Sequence, residues 1–537
     1  MVVALDTLVA RARAHVRPLV CDDGRLSRDR LRQRQLSAHA LAHLATDAEA
    51  VRQSVRWASA LSTRDGGGIA DRVATAFASE VCASLYGGVA LGACDTSRLE
   101  EIGLTTGAID EALATHGAAD AMCRHASGDA LVQLAIELAK RASAGTVQDA
   151  DDASGALRAH FRRFAEREIA PIAQRIHRND ELIPDELIAK LAAMGVFGLA
   201  LPERYGGGGA SMADMCVVTE EISRASLGVG SLATRSEIAG ELILGAGTDA
   251  QRDEWLPGIV SGRVLPTAVF SEPNHGSDLA NVATRAERQP GGGWKLYGQK
   301  TWITHATRAD LMTVLARTRP DVAGYAGLSM FLARKSRGRE GCEFPDVGLA
   351  GTEIKVIGYR GMKEYELSFD GFAVEASGLL GGVEGEGFKQ LMQTFERARI
   401  QTAARSVGVA QAALDESVRH ASTRTQFGQR LIEFPRVARK IGGMILRTAA
   451  ARALTRHAAH ARDAGRRCDL EAGMAKLFAT RAAWEAADAC VQIHGGMGYA
   501  EESVASRLLV DARVLSIFEG ANEVQADVIA RRLLEAE

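Results

Sequence analysis

The chain has 537 residues, and because a single hydrophobic core seldom serves more than about 300 residues, the length predicts more than one core. Hydrophobic residues make up 47% and charged residues 24% of the chain, a balance that excludes an intrinsically disordered protein. The formal net charge of −3 gives no reason to expect nucleic acid or an anionic membrane surface as a partner.

Eight cysteines are scattered through the chain, without a Cys-x-x-Cys pair or a Cys/His cluster at the spacing of metal ligands. We therefore expect no metal site, and a reducing compartment. The first residues lack the long apolar stretch of a secretory signal, and no apolar run is long enough for a membrane-spanning helix. We expect a cytoplasmic protein with no membrane partner.

The first part of the chain, residues 1 to about 145, has the apolar period of helices. Helices are predicted over residues 41–55, 69–86 and 118–142. The stretch that follows, residues 143–154, is polar and weakly periodic. It predicts a linker or a domain boundary.

Three kinds of pattern follow this boundary. Helical periods cover residues 156–176, with a kink at Pro171, and residues 184–199, 212–224 and 228–244. Short β-type runs separated by glycine and polar residues cover residues 264–270, 294–297, 301–304, 312–316, 329–333 and 365–369. Long stretches rich in Ala, Leu and Arg cover residues 388–423, 435–463, 471–494 and 522–534, and they predict a helical bundle.

The sequence therefore predicts an α+β fold that is mainly α. Its parts are an N-terminal helical extension, a helical domain, a middle β domain and a C-terminal helical bundle. Their predicted bounds are residues 1–150, 151–265, 266–380 and 381–537.

Two segments of the predicted β domain combine turns with polar or flat side chains. The first, Phe270-Ser271-Glu272-Pro273-Asn274-His275-Gly276-Ser277-Asp278, is a turn whose hydroxyls and backbone N–H groups could hold a polar ring edge or a phosphate. The second is Gly298-Gln299-Lys300-Thr301-Trp302-Ile303-Thr304, in which the tryptophan offers a flat face for a flavin ring. Each also has a purely structural interpretation, as an ordinary turn between strands and as a core tryptophan.

Two breaks that contain glycine follow long helices. Arg424-Thr425-Gln426-Phe427-Gly428 offers an arginine to a pyrophosphate, or alternatively to the negative end of a helix. Gln492-Ile493-His494-Gly495-Gly496-Met497-Gly498-Tyr499 lets a ligand approach the backbone closely, or simply caps a helix.

A carboxylate lies between an aromatic residue and a glycine in Ile517-Phe518-Glu519-Gly520-Ala521-Asn522-Glu523. In an apolar pocket the pKa of such a carboxyl would rise toward the range that suits a general base. The alternative is a surface glutamate near the start of a helix.

These five motifs, in this order and at these separations, resemble the acyl-CoA dehydrogenase family over about residues 155–537. The resemblance implies the fold of that family, in which a helical domain, a small β domain and a helical bundle follow one another. It also implies an FAD enzyme that oxidises the α and β carbons of an acyl-CoA. Members of the family usually assemble as tetramers built from two dimers, so a homo-oligomer is expected.

The resemblance also assigns site residues. Those expected near the FAD of the same chain are Phe270, Ser271, Ser277, Trp302, Ile303 and Thr304. Those expected near the FAD of a neighbouring subunit are Arg424, Phe427, Gln492, Gly495 and Gly496. Those expected near the acyl-CoA are Ser277, Glu396, Arg399 and Gly520.

The resemblance makes Glu519 the catalytic base, which takes the α proton while the β hydride leaves to FAD. Hydrogen bonds from its backbone N–H and from an FAD hydroxyl stabilise the thioester enolate in the family. Some members instead carry the base on a helix, in the residue before the position of Arg399. Here that residue is Ala398, so the alternative carboxylate is missing.

Three positions depart from the family pattern. Ala521 stands where the family often has threonine, and Pro435 stands where glutamine is common. Both changes are expected to alter contacts with FAD. His305 stands where asparagine is usual, and we assign it no catalytic role.

Three segments resemble one branch of the family, which converts (2S)-methylsuccinyl-CoA to mesaconyl-CoA in the ethylmalonyl-CoA pathway. They are Trp302-Ile303-Thr304-His305-Ala306, Gly358-Tyr359-Arg360-Gly361-Met362-Lys363-Glu364-Tyr365 and Ser516-Ile517-Phe518-Glu519-Gly520-Ala521. The extension of about 150 residues is also foreign to ordinary members. This branch passes its electrons to electron-transferring flavoprotein.

Other functions are compatible with the same motifs. A dehydrogenase for another short or branched acyl-CoA and an acyl-CoA oxidase are the alternatives within the family. A flavin-binding scaffold or monooxygenase would usually lack the base, so Glu519 argues against it. Residues 1–145 alone could be a helical interaction module.

Overall fold

The computed structural model describes residues 1–65, 68–114, 117–140 and 152–535. The chain divides into two compact units. One unit combines Met1–Arg162 with Thr402–Glu537, and the other is Arg163–Gln401. The predicted boundary at residues 143–154 lies largely outside the described residues.

The N-terminal part of the first unit is helical. Its helices are α1 (Val2–Val20), α2 (Arg28–Gln33), α3 (Gln35–Asp65), α4 (Gly68–Ser84), α5 (Thr106–Ala114), α6 (Ala118–His125), α7 (Gly128–Lys140) and α8 (Asp152–Phe164). Two short hairpins join them, β1 (Cys21–Asp22) with β2 (Arg25–Leu26) and β3 (Val89–Gly92) with β4 (Asp95–Ser97). The single helix predicted over residues 118–142 is wrong. Two helices form because the Ser127 hydroxyl accepts from the backbone N–H of Ala130 and caps the second helix.

The second unit begins with helices that the sequence largely predicts. They are α9 (Ala170–Asn179), α10 (Asp185–Ala193), α11 (Met212–Ala225), α12 (Leu227–Ala246) and α13 (Asp249–Val260). A π-helical turn, Ala165–Ile169, joins α8 to α9 and lies just before Pro171. Proline has no backbone N–H to donate, so the irregular turn at this point has a local cause.

A seven-stranded sheet completes the second unit. Its strands are β5 (Pro266–Val269), β6 (Arg285–Arg288), β7 (Trp294–Thr304), β8 (Leu311–Arg317), β9 (Leu328–Arg334), β10 (Leu349–Ile354) and β11 (Glu364–Val374). The order is β10-β11-β7-β6-β8-β5, with β9 paired to β8. The predicted runs 294–297 and 301–304 are one strand. The strand β6 was missed because three of its four residues are charged, and β10 was missed because Gly351 and Glu353 interrupt its apolar pattern. The core of the sheet contains the edge-to-face pair Trp294 and Phe331, whose ring centres are 5.3 Å apart.

Five helices and a hairpin complete the chain. They are α14 (Gly387–Thr423), the hairpin β12 (Thr425–Gln426) with β13 (Gln429–Arg430), α15 (Pro435–Asp463), α16 (Asp469–His494), α17 (Val504–Leu515) and α18 (Asn522–Glu535). The helix α17 was not predicted. The mainly helical α+β fold is confirmed.

The N-terminal helices share a core with the C-terminal bundle, since α3 packs against α15, α16 and α18, and α7 packs against α15. The ring of Phe77 on α4 meets that of Phe478 on α16 edge to face, with ring centres 5.8 Å apart. Asp47 on α3 forms an ion pair with Arg481 on α16, and both side chains are largely buried. The first and last parts of the chain therefore stabilise each other.

Within the described ranges, no helix is both long and apolar enough to cross a membrane. All eight cysteines are free thiols.

Candidate active site

Glu519 lies in the turn between α17 and α18, and its backbone has a φ of 53°. This left-handed conformation is uncommon for a residue with a side chain and persists where the surroundings hold it. Gly520 follows with a φ of 88°, and a Cβ there would lie 2.2 Å from Nε2 of Gln525. The Gln525 amide could move aside, but the positive φ disfavours any residue with a side chain, so glycine is favoured after the candidate base.

Lys476 of α16 anchors this turn. Its Nζ donates to the carbonyl oxygen of Gly520 at 2.7 Å and to Oδ1 of Asn522 at 3.0 Å. Thr480, one helical turn later, donates to the same Asn522 oxygen at 3.0 Å. Sequence reasoning missed both residues. Two polar side chains four residues apart on the otherwise apolar buried face of α16 were the available signal.

The carboxylate of Glu519 has two polar neighbours on α14. Its Oε2 accepts hydrogen bonds from Oγ1 of Thr402 at 2.5 Å and from Nη2 of Arg405 at 2.7 Å. The Glu519 side chain is 11% exposed, and Arg405 is completely buried. The sequence left open an apolar pocket or an exposed position for Glu519, whereas this side of the carboxylate is buried, polar and cationic. A guanidinium stabilises the carboxylate, which is the form that can accept a proton.

Thr402 and Arg405 were not predicted as site residues. They are three residues apart, so they lie on the same face of α14. Nη2 of Arg405 also donates to Oγ1 of Thr402 at 2.8 Å, and its guanidinium carbon is 5.0 Å from the centre of the Phe518 ring. Two polar residues that flank the buried Ala403 and Ala404 were the only sequence signal.

In the second unit, Lys300 fixes the turn that begins at Phe270. The buried Nζ of Lys300 donates to the Phe270 carbonyl at 2.8 Å and lies 3.1 Å from Oε1 of Glu272. Glu272 also accepts from the N–H groups of Ala283 and Thr284 at 2.7 and 2.8 Å. Burial alone would raise the Glu272 pKa, but Lys300 and these donors lower it overall. The turn is therefore held by a buried ion pair.

The two candidate serines of this turn have different surroundings. Oγ of Ser271 donates to the carbonyl of Thr301 at 2.7 Å, and the Thr301 N–H donates to the Ser271 carbonyl at 3.0 Å. Ser277, further along the turn, is exposed. The turn thus lies beside β7 and offers a hydroxyl on its surface.

Trp302 lies at an irregularity of β7, where the pairing with β11 shifts register between Ile303/Tyr365 and Lys300/Leu367. Its φ is 59° and its side chain is 58% exposed, whereas Ile303 is buried. A bulge re-aims a side chain, and here it leaves a flat ring on the surface of the sheet. Such a surface suits the isoalloxazine ring of a flavin.

Thr304 ends β7 opposite Glu364 of β11, and its hydroxyl donates to that carboxyl group at 2.8 Å. Burial raises the pKa of Glu364 to about 7. His305 follows with a φ of 66°, is completely buried, and donates its backbone N–H to Lys363 at 2.9 Å. Burial lowers the His305 pKa to about 3, so its ring is neutral. Sequence reasoning missed Glu364 as a partner of Thr304.

The candidate acyl-CoA residues Glu396 and Arg399 lie on α14 and are both partly exposed. The guanidinium carbon of Arg399 is 5.8 Å from the centre of the Phe395 ring. Ala398, which occupies the alternative position for a base, is buried.

Arg424 and Phe427 lie on the hairpin β12–β13, directly after α14. Phe427 is 95% exposed with a φ of 50°, and Arg424 is also exposed. An arginine and an aromatic ring on one exposed hairpin suit a pyrophosphate and an adjoining ring. Pro435 begins α15, a position where the missing N–H of proline has no cost.

The end of α16 carries the last candidate residues. Gln492 is exposed, and a Cβ at Gly495 or Gly496 would meet no atom within 4 Å, so both glycines are open to a ligand. Nδ1 of His494 lies 2.7 Å from the Cys490 carbonyl, and Nε2 lies 3.2 Å from Oε1 of Glu416. Contacts with Cys490 and Glu416 outweigh burial and raise the His494 pKa to about 10. The charged His494 ring at the end of α16 therefore bonds to Glu416 of α14.

Both units thus contain residues that fit parts of FAD. In the second unit, Trp302 presents a flat face beside the turn that carries Ser271 and Ser277. In the first unit, Arg424 and the open glycines of residues 495 and 496 suit a phosphate-bearing group.

Three family models match the chain. The acyl-CoA dehydrogenase N-terminal domain matches residues 151–263, the middle domain matches residues 267–372 and the C-terminal domain matches residues 385–534. These matches leave the N-terminal extension outside the family domains.

Individual proteins are similar as well. A (2S)-methylsuccinyl-CoA dehydrogenase from Cereibacter sphaeroides is 52% identical over 532 residues, which cover 99% of this chain and 96% of that protein. An acyl-CoA dehydrogenase from Bacillus subtilis (strain 168) is 38% identical and covers 70% of this chain and 97% of its own length. The structure of butyryl-CoA dehydrogenase from Megasphaera elsdenii superposes with a TM-score of 0.68 and 30% identity, covering 72% of this chain and 100% of that one.

Proposed function

Because this chain belongs to the acyl-CoA dehydrogenase family, we propose that it oxidises (2S)-methylsuccinyl-CoA to mesaconyl-CoA. It is an oxidoreductase of that family, and its cofactor is FAD. One observation carries the choice of substrate. The similarity to the Cereibacter sphaeroides enzyme runs through 99% of this chain and therefore includes the N-terminal extension.

Glu519 is the proposed base. Its carboxylate takes the proton from the α carbon of the thioester, and Thr402 and Arg405 hold Oε2 by hydrogen bonds of 2.5 and 2.7 Å. A base fixed in this way loses little freedom on the way to the transition state. The backbone N–H of Glu519 is proposed to stabilise the thioester oxygen, and Lys476 keeps the turn in place for it.

FAD supplies the acceptor for the hydride that leaves the β carbon. The residues proposed to hold it from its own chain are Phe270, Ser271, Ser277, Trp302, Ile303 and Thr304. Those proposed to reach the FAD of a neighbouring chain are Arg424, Phe427, Gln492, Gly495 and Gly496. Those proposed to bind the acyl-CoA are Ser277, Glu396, Arg399 and Gly520.

The enzyme is further proposed to pass electrons to electron-transferring flavoprotein, to assemble as a homotetramer or dimer, and to serve the ethylmalonyl-CoA pathway. Family membership supports the first two proposals, and the substrate supports the third. A cytoplasmic location stays a prediction, supported by eight free cysteines.

Anaerobic flavin reduction tests the proposed substrate. The purified FAD-loaded protein is mixed with methylsuccinyl-CoA, butyryl-CoA or 2-methylbutyryl-CoA, and loss of visible flavin absorbance is followed. We expect methylsuccinyl-CoA to bleach the flavin fastest. Faster bleaching by one of the uncharged thioesters would instead make the chain a dehydrogenase for that acyl group. Aerobic turnover with and without a dye acceptor separates a dehydrogenase from an oxidase.

A further inference from the structure

Thr304 and Glu364 are directly opposite residues of β7 and β11. The Thr304 hydroxyl lies 2.8 Å from Oε1 and 3.0 Å from Oε2 of the Glu364 carboxyl group, and both side chains are buried. The two strands already pair through their backbones at this position, so they do not need the side-chain bond to hold them together. Burying a carboxyl group to gain one hydrogen bond is costly, so packing alone does not account for it.

The surroundings of Glu364 do not keep it ionised. Among the described residues its hydrogen-bond partner is the Thr304 hydroxyl alone. Burial raises the pKa of Glu364 to about 7 and outweighs the opposite effects of that hydroxyl and of Arg235, the charged group that faces it from α12. The neighbouring Lys363 bonds to Glu353 instead, at 3.0 Å. The Glu364 carboxyl group can therefore be neutral or ionised near neutral pH.

Glu272, a buried carboxylate in the turn beside β7, provides a contrast. It pairs with the ammonium of Lys300 and accepts from two backbone N–H groups. Burial would raise the Glu272 pKa, but these partners lower it overall. A buried carboxylate that has to stay charged needs partners of this kind. In the described part of the chain Glu364 has no such set, which suits a group that changes its protonation state.

The single hydrogen of the Thr304 hydroxyl makes that change consequential, because a hydroxyl donates one hydrogen bond at a time. An ionised Glu364 can only accept, so the Thr304 hydrogen is committed to it. A protonated Glu364 can donate its own hydrogen to Oγ1 of Thr304, which leaves the hydroxyl hydrogen free for another acceptor. Thr304 is among the residues proposed to hold FAD, so that acceptor would be an atom of the flavin ring.

We propose that Glu364 is a positioning residue whose protonation decides whether Thr304 donates its hydroxyl hydrogen to the flavin. The inference rests on the proposed function, because that function puts FAD beside Thr304. It goes beyond the proposed contacts because Glu364 acts on the flavin only through Thr304. One proton is released to the solvent as the pH rises, and the Thr304 hydrogen then turns from the flavin to the Glu364 carboxylate.

The visible spectrum of bound FAD in the holoenzyme tests this inference without any substrate, since the oxidised isoalloxazine ring does not itself titrate near neutral pH. We expect the wild type to change between two limiting spectra with one midpoint, at or somewhat above about pH 7. The midpoint can lie above the pKa without FAD because FAD binds the protonated form better. The dissociation constant of FAD, measured by ultrafiltration, should rise about fivefold over the same pH range, as expected for the loss of one hydrogen bond.

Glu364→Gln should show the low-pH spectrum and the tighter FAD binding at every pH, because its amide can always donate to Thr304. Glu366→Gln is the matched control, since Glu366 is an exposed glutamate of the same strand. It should titrate like the wild type. A Glu364→Gln protein that also titrated like the wild type would overturn the inference, and so would a wild type whose bound flavin did not titrate.

Thr304→Val is the second variant, and it keeps the inference testable if Glu364→Gln does not fold. Without the hydroxyl, the pH dependence of the flavin spectrum should disappear. A Thr304→Val spectrum identical to the wild-type spectrum at every pH would overturn the inference and the proposed position of Thr304, but not the proposed substrate. Slow bleaching by methylsuccinyl-CoA with the titration intact would instead remove the proposed substrate and support the role of Glu364.

Discussion

Lys300 and Lys476 are completely buried lysines that hold backbone turns at two candidate sites. Lys300 donates to the Phe270 carbonyl at 2.8 Å, and Lys476 donates to the Gly520 carbonyl at 2.7 Å. A buried ammonium keeps such contacts because losing them would leave a charge in the interior. Each lysine thereby fixes the backbone on which the candidate site residues stand.

Replacing Glu519 by glutamine should remove catalysis without removing the cofactor. The amide oxygen can still accept from Thr402 and Arg405, so the turn should keep its shape. Because the amide cannot take a proton, the rate of anaerobic flavin bleaching by methylsuccinyl-CoA should fall by about a thousandfold or more. Rapid mixing measures that rate, and the bound FAD is quantified after denaturation.

Glu523→Gln is the matched control, because this glutamate is exposed and lies four residues further on. It should bleach at the wild-type rate. If the Glu519→Gln protein also bleached at that rate, another group would be the base.

His494 should make stability depend on pH in a defined direction. Its folded pKa of about 10 lies above the unfolded value of about 6.5, so the charged ring stabilises the fold below pH 6.5. This contribution is lost as the pH rises through about 10. Glu416 acts in the opposite sense, since the hydrogen bond from His494 lowers its pKa to about 2. Its contribution is present above about pH 4.5 and is lost toward pH 2.

We therefore expect His494→Gln to lower the free energy of unfolding by about 2–3 kcal/mol at pH 6 and by much less above pH 10. Urea unfolding at a series of pH values measures the difference. A loss that stayed constant from pH 6 to pH 11 would show that shape, rather than charge, accounts for the contribution of His494.

At the scale of elements, helix α3 joins the N-terminal extension to the C-terminal bundle. Besides the pair of Asp47 with Arg481, Nε2 of His39 lies 2.8 Å from Oδ1 of Asp527 on α18. The side chains of Asp47 and Arg481 are only 18% and 17% exposed, so water screens their attraction weakly. The extension is therefore part of the folded unit that carries Glu519.

Asp47→Asn should destabilise that unit by about 2–4 kcal/mol, because it leaves the charge of Arg481 without its counter-ion. Asp29→Asn on the exposed face of α2 is the control and should change little. Urea unfolding measures both variants, and adding Arg481→Gln to Asp47→Asn should recover part of the loss. If the losses in the free energy of unfolding of the two single variants simply added in the double variant, the ion pair would contribute nothing to stability.

Helices and strands whose apolar residues recur at a regular spacing were predictable from the sequence. Elements whose ends depend on local hydrogen bonds were not. The long helices α15, α16 and α18 follow directly from their apolar spacing. The break between α6 and α7 depends on one serine cap, which a period of 3.6 residues does not reveal. The strand β6 was hidden by three exposed charged residues, and β10 was hidden by Gly351 and Glu353, so tertiary pairing outweighs local propensity in both.

At the scale of the whole molecule, motif order was enough to predict the family, the cofactor and the mainly helical α+β fold. The contacts around Glu519 were not predictable in this way. Thr402 and Arg405 precede it by more than a hundred residues, and only the packing of α14 brings them to it. A resemblance identifies residues that a family shares, whereas the partners that tune them depend on tertiary structure.

The pairing of His39 with Asp527 spans 488 residues of chain. During synthesis the N-terminal helix α3 is therefore made early, and its packing partner α18 is made last. Residues 163–401 can fold as a separate unit before α18 is made, and during that time the apolar faces of the N-terminal helices have no α18 to pack against. A chain that stops before α18 would leave those apolar faces incompletely covered, so loss of this C-terminal helix should destabilise the N-terminal helices that pack against it.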